Sequence, residues 1–205
     1  FASALTISFM YWSIVLVLKK LTIDAKDTIK KQLMVSSSAF IGSISFAFTD
    51  TFWFSAVETE VYAMATLIMA IMFYLGLRWE FDMHEKRGNK WLLLICFIIG
   101  LSFGVHFMGL LVIPAIVMIY YFKNQKEILE FLNLQPITGF IIANALGIAI
   151  LMGIFKLLLP NTLKFFSATE LLFVNNLGLP FNSGTIVAFI VLIYVFYFLI
   201  NYTRK

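Results

Sequence analysis

Apolar residues run almost unbroken from Phe1 to Leu18 before the pair Lys19-Lys20 stops them. Coiled as a helix, a run of that length rises about 27 Å, close to the roughly 30 Å thickness of a bilayer's hydrocarbon core. The same alternation of a long apolar stretch and a short charged one recurs along the chain. It predicts spans at about 1–18, 33–51, 61–77, 137–159 and 185–200, with a longer apolar stretch at 91–122. Pro136 stands at the start of the 137–159 span and Pro160-Asn161 closes it. The second span carries Ser36, Ser37, Ser38, Ala39, Gly42, Ser43, Ser45 and Ala47. Small residues let helix backbones approach closely in lipid, so this helix is expected to be buried among others.

The stretch 91–122 is too long for one ordinary span and is interrupted by Gly100, Gly104, His106, Gly109 and Pro114. It can be one steep helix or a hairpin of two short legs turning near Gly104-Val105-His106. Lys and Arg concentrate on the cytoplasmic side of membrane proteins, which separates the two readings. A hairpin places 13 basic residues on one side against two (Lys156 and Lys164), whereas a single helix gives 11 against four. The hairpin is therefore the expectation. It puts the segment 160–184 on the non-cytoplasmic side together with Asp50, Glu58 and Glu60.

Composition turns this pattern into a class. With 61% apolar residues and 13% charged, the chain lies well outside the range of soluble domains, whose apolar share is about 45–50%. The expected fold is all-α, a polytopic membrane helix bundle of five full spans plus a re-entrant or short helical hairpin, organised as one transmembrane domain over 1–205. The lone Cys96 excludes a disulfide framework. The net charge of +4 is accounted for by basic anchoring and calls for no nucleic acid. No nucleotide, haem or zinc signature is present, and His106 with distant acids is too thin for a metal site. The chain begins inside an apolar run without an initiator Met, as expected of a piece of a longer protein.

The candidate chemistry centres on Phe52-Trp53-Phe54-Ser55-Ala56-Val57-Glu58-Thr59-Glu60-Val61-Tyr62. A carboxylate beside hydrocarbon is costly unless solvated, paired or neutralised, which makes acids at an aromatic-rimmed bend between two spans candidates for function. On one helix Glu58 and Glu60 would point about 200° apart, so at most one would face a reacting atom. Two other readings stand beside the catalytic one. Ser55-Ala56-Val57-Glu58 matches a helix capping box, and Glu60 can be a solvated loop acid. Tyr62, four residues after Glu58, can meet it on one helix face or sit in the interfacial aromatic belt. His106 can donate to a phosphate or sugar hydroxyl, or hold a tight turn beside a close Gly100/Gly104 helix contact. Ser167 and Glu170 repeat the capping-box spacing and open a short helix stopped by Gly178 and Pro180. Asn175, Asn176 and Asn182 there can line a sugar or acceptor groove. Lys164, with Lys156, can meet a lipid-linked phosphate or simply snorkel.

Three ordered blocks carry a family resemblance: residues 52–63 as quoted, Gly100-Leu101-Ser102-Phe103-Gly104-Val105-His106, and Glu170-Leu171-Leu172-Phe173-Val174-Asn175-Asn176-Leu177-Gly178-Leu179-Pro180-Phe181-Asn182. Together they resemble a bacterial membrane family, common in Bacteroidetes, that is similar to the animal transmembrane O-mannosyltransferase acting on plexin-type domains. The resemblance implies a glycosyltransferase of the GT-C class in an inner membrane. Its donor would be a polyprenyl-phosphate sugar in a membrane-embedded groove, and its site would face the periplasm and a protein acceptor. Catalytic roles then fall to Glu58 and Glu60, the family's second acidic motif, and substrate binding to Tyr62, His106, Lys164, Asn175, Asn176 and Asn182. Members of the family carry a further acidic loop ahead of the position at which this sequence begins, the expected home of the base. The rival reading is a non-catalytic membrane subunit or lipid-carrier transporter with the same bundle.

Overall fold

The computed structural model describes residues 1–23, 26, 28–58 and 61–203, and among them the secondary structure is entirely helical. In order come α1 (Ala2–Leu21), α2 (Ile29–Ala47), α3 (Asp50–Val57), α4 (Tyr62–Asp82), α5 (Lys90–Ser102), a 3-10 turn Phe107–Val112 that leads into α6 (Ile113–Lys123), α7 (Gln125–Leu132) and α8 (Pro136–Gly153). They are followed by α9 (Leu159–Leu171) and α10 (Ser183–Thr203), with π-helical turns at Ile154–Leu158 and Leu172–Asn176. Four of the described helices are long and apolar enough to cross a membrane, and six if each of two bent pairs counts as one span. The protein is thus an all-α polytopic integral membrane protein.

Two compact units divide the chain at Leu151 and Met152. The first is organised around α4. Its side chains Ile68, Met72, Leu75 and Trp79 form a buried core with Ile95 of α5, Val112 of the 3-10 turn and Ile116 of α6. Gly109 allows that turn to approach α4 closely. A Cβ at this position would stand 3.0 Å from Ile68 and 3.3 Å from Met72.

At the far end of α4, buried Glu80 forms ion pairs with Lys20 of α1 and with Lys123 of α6, the latter at 3.9 Å. Two residues on, Asp82 accepts from the Trp91 indole N–H at 2.7 Å and lies within 4.0 Å of Lys90. The ends of α1, α4 and α6 and the start of α5 therefore meet at one charged pole. The chain reverses between α5 and α6 through 103–106, so both legs of this apolar stretch return to that pole. Glu80 itself falls inside the helix, which runs past the predicted end of its span at residue 77 to Asp82.

The small-residue helix α2 departs from expectation. Only Val35, Ala39 and Ser43 are buried, one stripe at four-residue spacing, of which Val35 and Ala39 pack with Tyr11, Ile14, Val15 and Leu18 of α1. Leu33, Met34, Phe40 and Ile41 are exposed. Serine and glycine content marks a helix that tolerates close neighbours on any side, whereas only one side has one here. The Gly100/Gly104 contact is also not formed: a Cβ at Gly100 would meet nothing within 4 Å, and at Gly104 only the local Leu101 carbonyl.

In the second unit α9 and α10 pack closely along their contact. A Cβ at Gly184 would fall 2.4 Å from the Thr169 carbonyl oxygen and 2.5 Å from Glu170 Cα, so no larger residue fits without moving backbone. The chain turns between the two helices through Gly178, whose φ of +65° is open to glycine at no steric cost. The Leu179 N–H closes this end by donating to the Phe173 carbonyl at 3.1 Å.

Candidate functional site

The α2 helix stops at Phe48-Thr49, and α3 leaves at 65° to it. Two aromatic pairs hold the bend, Phe46 with Phe52 at 4.8 Å between ring centroids and Phe48 stacked on Trp53 at 6.0 Å. Ser55 lies inside α3 and its hydroxyl donates to the Thr51 carbonyl at 3.0 Å. Glu58 is the residue that ends α3, exposed and extended (φ −65°, ψ 139°), with its N–H donating to the Phe54 carbonyl at 3.1 Å. Ser55 and Glu58 therefore do not form a capping box, because the helix they would open is the one that Glu58 closes.

Tyr62 begins α4, a different helix, so Glu58 and Tyr62 share no helix face despite their four-residue spacing. Nor does the 200° argument govern the two acids, since Glu58 has left the helix. Glu60 lies outside the described residues.

Tyr62 and His106 do come together, their ring centroids 5.6 Å apart and tilted by 57°. The reason lies in the break between α5 and the 3-10 turn. The Ser102 carbonyl accepts from Val105 N–H at 3.1 Å and His106 N–H at 2.9 Å, and His106 then turns extended, its Nδ1 accepting the Met108 N–H at 3.1 Å. An accepting Nδ1 carries no hydrogen, which puts the ring's N–H on Nε2 as a donor. His106 thus holds a turn and keeps one nitrogen for another partner. Tyr62 lies 18 residues before Glu80 on α4, about 27 Å along the axis, so this corner is at the pole opposite the charged one. Glu58 is four residues from Tyr62, a reach of at most about 14 Å.

Between α1 and α4 lies an apolar cavity of about 490 Å³, which sequence reasoning missed. Met10, Ser13 and Val17 of α1 face Thr66, Ala70 and Phe73 of α4 across it, and Thr66 is one turn along α4 from Tyr62. Its hydroxyls are already committed: Thr6 donates to the Ala2 carbonyl at 3.1 Å, Ser13 to Phe9 at 2.8 Å and Thr66 to Ala63 at 3.0 Å. The walls therefore suit a hydrocarbon occupant. No local signal marks such a cavity, because its two walls lie about 60 residues apart in the chain.

The remaining candidates belong to the second unit. Lys164 lies exposed on α9, and Asn175 and Asn176 are exposed in the π-helical turn that follows it. Such turns concentrate at functional sites. Asn182 is exposed in a left-handed conformation (φ 71°), and its N–H donates to Glu170 Oε1 at 2.6 Å. Glu170 Oε2 accepts from the Thr185 N–H at 2.8 Å and from the Thr185 hydroxyl at 3.0 Å. Ser167 and Glu170 thus do not cap a local helix. Both lie within α9, and the carboxylate instead satisfies the amides that open α10.

No curated protein sequence and no solved structure gives a significant match to the chain. A family model does, over residues 1–129, more than half of the 205 residues and including both the Tyr62–His106 corner and the apolar cavity. That model describes the protein O-mannosyl-transferase TMEM260 N-terminal domain, and the chain belongs to this family.

Proposed function

We propose that this protein is a membrane glycosyltransferase that moves mannose from a polyprenyl-phosphate carrier to a protein hydroxyl on the non-cytoplasmic face of a bacterial inner membrane. The observation that carries the reading is a hydrocarbon-lined cavity that begins at Thr66, one turn of α4 from the polar Tyr62–His106 corner, in a chain whose family is that of an O-mannosyltransferase-like enzyme. A lipid-linked sugar has the same two parts, an apolar tail and an anionic phosphate bearing the sugar.

In this mechanism the tail occupies the cavity between α1 and α4, which brings the phosphate to the Tyr62 end of α4. A carboxylate accepts the proton of the acceptor Ser or Thr hydroxyl. The oxygen attacks the anomeric carbon, and the bond from that carbon to the phosphate oxygen breaks with inversion, the electron pair leaving on polyprenyl phosphate. His106 Nε2–H donates to the leaving phosphate oxygen as its charge grows, where a positioned donor is most effective. Glu58 and Glu60 position the acceptor hydroxyl or the sugar. Lys164, Asn175, Asn176 and Asn182 are kept as phosphate- and acceptor-binding candidates of the second unit. Excess Lys and Arg at the Lys20–Glu80–Lys123 pole supports a cytoplasmic assignment for that pole, with Glu58 and His106 opposite.

The test is transfer of radiolabelled mannose from polyprenyl-phosphate mannose to an acceptor protein by the purified, reconstituted protein. Ala70→Trp, which fills the cavity, is expected to raise KM for the donor about tenfold and to leave the acceptor KM unchanged. Donor binding without any transfer by the native protein would favour a carrier-binding subunit or transporter instead.

A further inference from the structure

The loop after α6 contains a helix whose uncovered face has no role in the site. α7 follows α6 after Asn124 and turns 80° from the axis of the preceding helix. Phe107–Lys123 is long enough to cross most of the hydrocarbon, and Lys123 reaches Glu80 at the charged pole. A helix at 80° to it, starting two residues later, runs close to the membrane plane at the level where the hydrocarbon ends.

The sequence of α7 divides cleanly at 100° per residue. Ile128, Leu129, Phe131 and Leu132 fall on one side, while Lys126, Glu127 and Glu130 fall on the other. The packing shows which way the apolar side points. Leu129 lies against α8 at Gly139, where a Cβ would stand 2.6 Å from Leu129 Cδ2. Gly139 is one turn into α8, which heads back across the bundle, so one edge of the apolar arc, Leu129, is packed on the bundle, while the other edge, Phe131, about 160° round the helix, lies outside that contact. Asn133, left-handed with φ 51°, ends the helix as the Leu134 N–H donates to the Leu129 carbonyl at 3.0 Å, and the chain re-enters at Pro136. Phe131 nevertheless remains 88% exposed, and Leu132 is exposed beside it.

We propose that α7 is an interfacial helix, with Phe131 and Leu132 buried among lipid acyl chains just below the headgroups and Lys126, Glu127 and Glu130 in the aqueous headgroup layer. The occupant of this face is bilayer lipid, because the helix lies across the end of a membrane-crossing one, at the edge of the hydrocarbon, and its apolar arc continues from Leu129 on the bundle to the uncovered Phe131 and Leu132. The anchor fixes the depth of the charged pole without contributing to the candidate site.

Spin labels at Phe131→Cys and Lys126→Cys, in a Cys96→Ser background of the whole protein, test this in vesicles of phosphatidylcholine and phosphatidylglycerol. The label at 131 is expected to be several-fold more accessible to oxygen than to an aqueous nickel chelate, and the label at 126 the reverse. Leu132→Cys provides a second apolar position should Phe131→Cys fail to reconstitute. Equal access of the nickel chelate to both faces would overturn the proposal by placing the helix in water. Exclusion of both reagents at 131 and 132 would overturn it too, by showing a protein partner or a second copy on that face.

Discussion

Replacing Gly184 by Ala isolates the contact between α9 and α10. The added Cβ would stand 2.4 Å from the Thr169 carbonyl oxygen, 2.5 Å from Glu170 Cα and 2.7 Å from Glu170 N, all backbone atoms that no rotamer change can move. Ordinary contact begins near 3.4 Å, so the helices must separate locally by about 1 Å. That displacement also lengthens the hydrogen bonds from Asn182 and Thr185 to Glu170, now 2.6 and 2.8 Å. Overpacking a close contact costs about 1–3 kcal/mol. A value near 2 kcal/mol changes a folding equilibrium by a factor of about 30, and for a chain of this size lowers Tm by about 4–8 °C.

The control is the same substitution at Gly153, where a Cβ meets nothing within 4 Å. There the better helix propensity of Ala gives a neutral or slightly higher Tm. Thermal unfolding of the detergent-purified protein, followed by circular dichroism, reads both. Melting of Gly184→Ala with the native protein, or an equal loss in Gly153→Ala, would refute a steric limit at the α9–α10 contact.

Three further outcomes follow from the same geometry. Lys20→Met should destabilise more than Glu80→Gln in denaturant titrations. The first strands a buried carboxylate with Lys123 at 3.9 Å, whereas the second frees a half-exposed lysine to reach solvent at a cost of about 1 kcal/mol; the opposite order would refute the assignment of Glu80 as the buried partner. His106→Asn, which can still accept the Met108 N–H, should keep the native Tm yet lose mannosyl transfer, while loss of stability equal to that of His106→Ala would reduce His106 to a turn-holder. Asn133→Gly should be neutral to about 1 kcal/mol stabilising and Asn133→Val destabilising, since φ is 51° there; equal melting of the two would remove that conformation.

The apolar runs made α1, α4 and α10 legible from sequence, and the distribution of Lys and Arg, which favours a hairpin over a single helix at 91–122, made the reversal between α5 and α6 legible too. What the pattern missed is long-range. Glu170 and Glu58 each sit three residues after a serine, and this spacing is the same whether a carboxylate caps its own helix, caps one 15 residues later or ends a helix. Small residues in α2 showed that neighbours could approach, not that only the Val35–Ala39–Ser43 stripe would have one. α7 lies outside every predicted span because Lys126, Glu127 and Glu130 interrupt the apolar pattern, and Ile128, Leu129, Phe131 and Leu132 share a side only once the segment is helical. The cavity needed α1 and α4 to be placed side by side.

Single-turnover mannosyl transfer by the reconstituted protein with Glu58→Gln, Glu60→Gln and the double substitution tests most directly whether this bend takes part in the reaction. The double variant is expected still to bind polyprenyl-phosphate mannose but to transfer at least about a hundredfold more slowly, the scale of a lost acid–base or positioning carboxylate. Native transfer rates in the double variant would contradict it, and would take this bend of the chain out of the reaction.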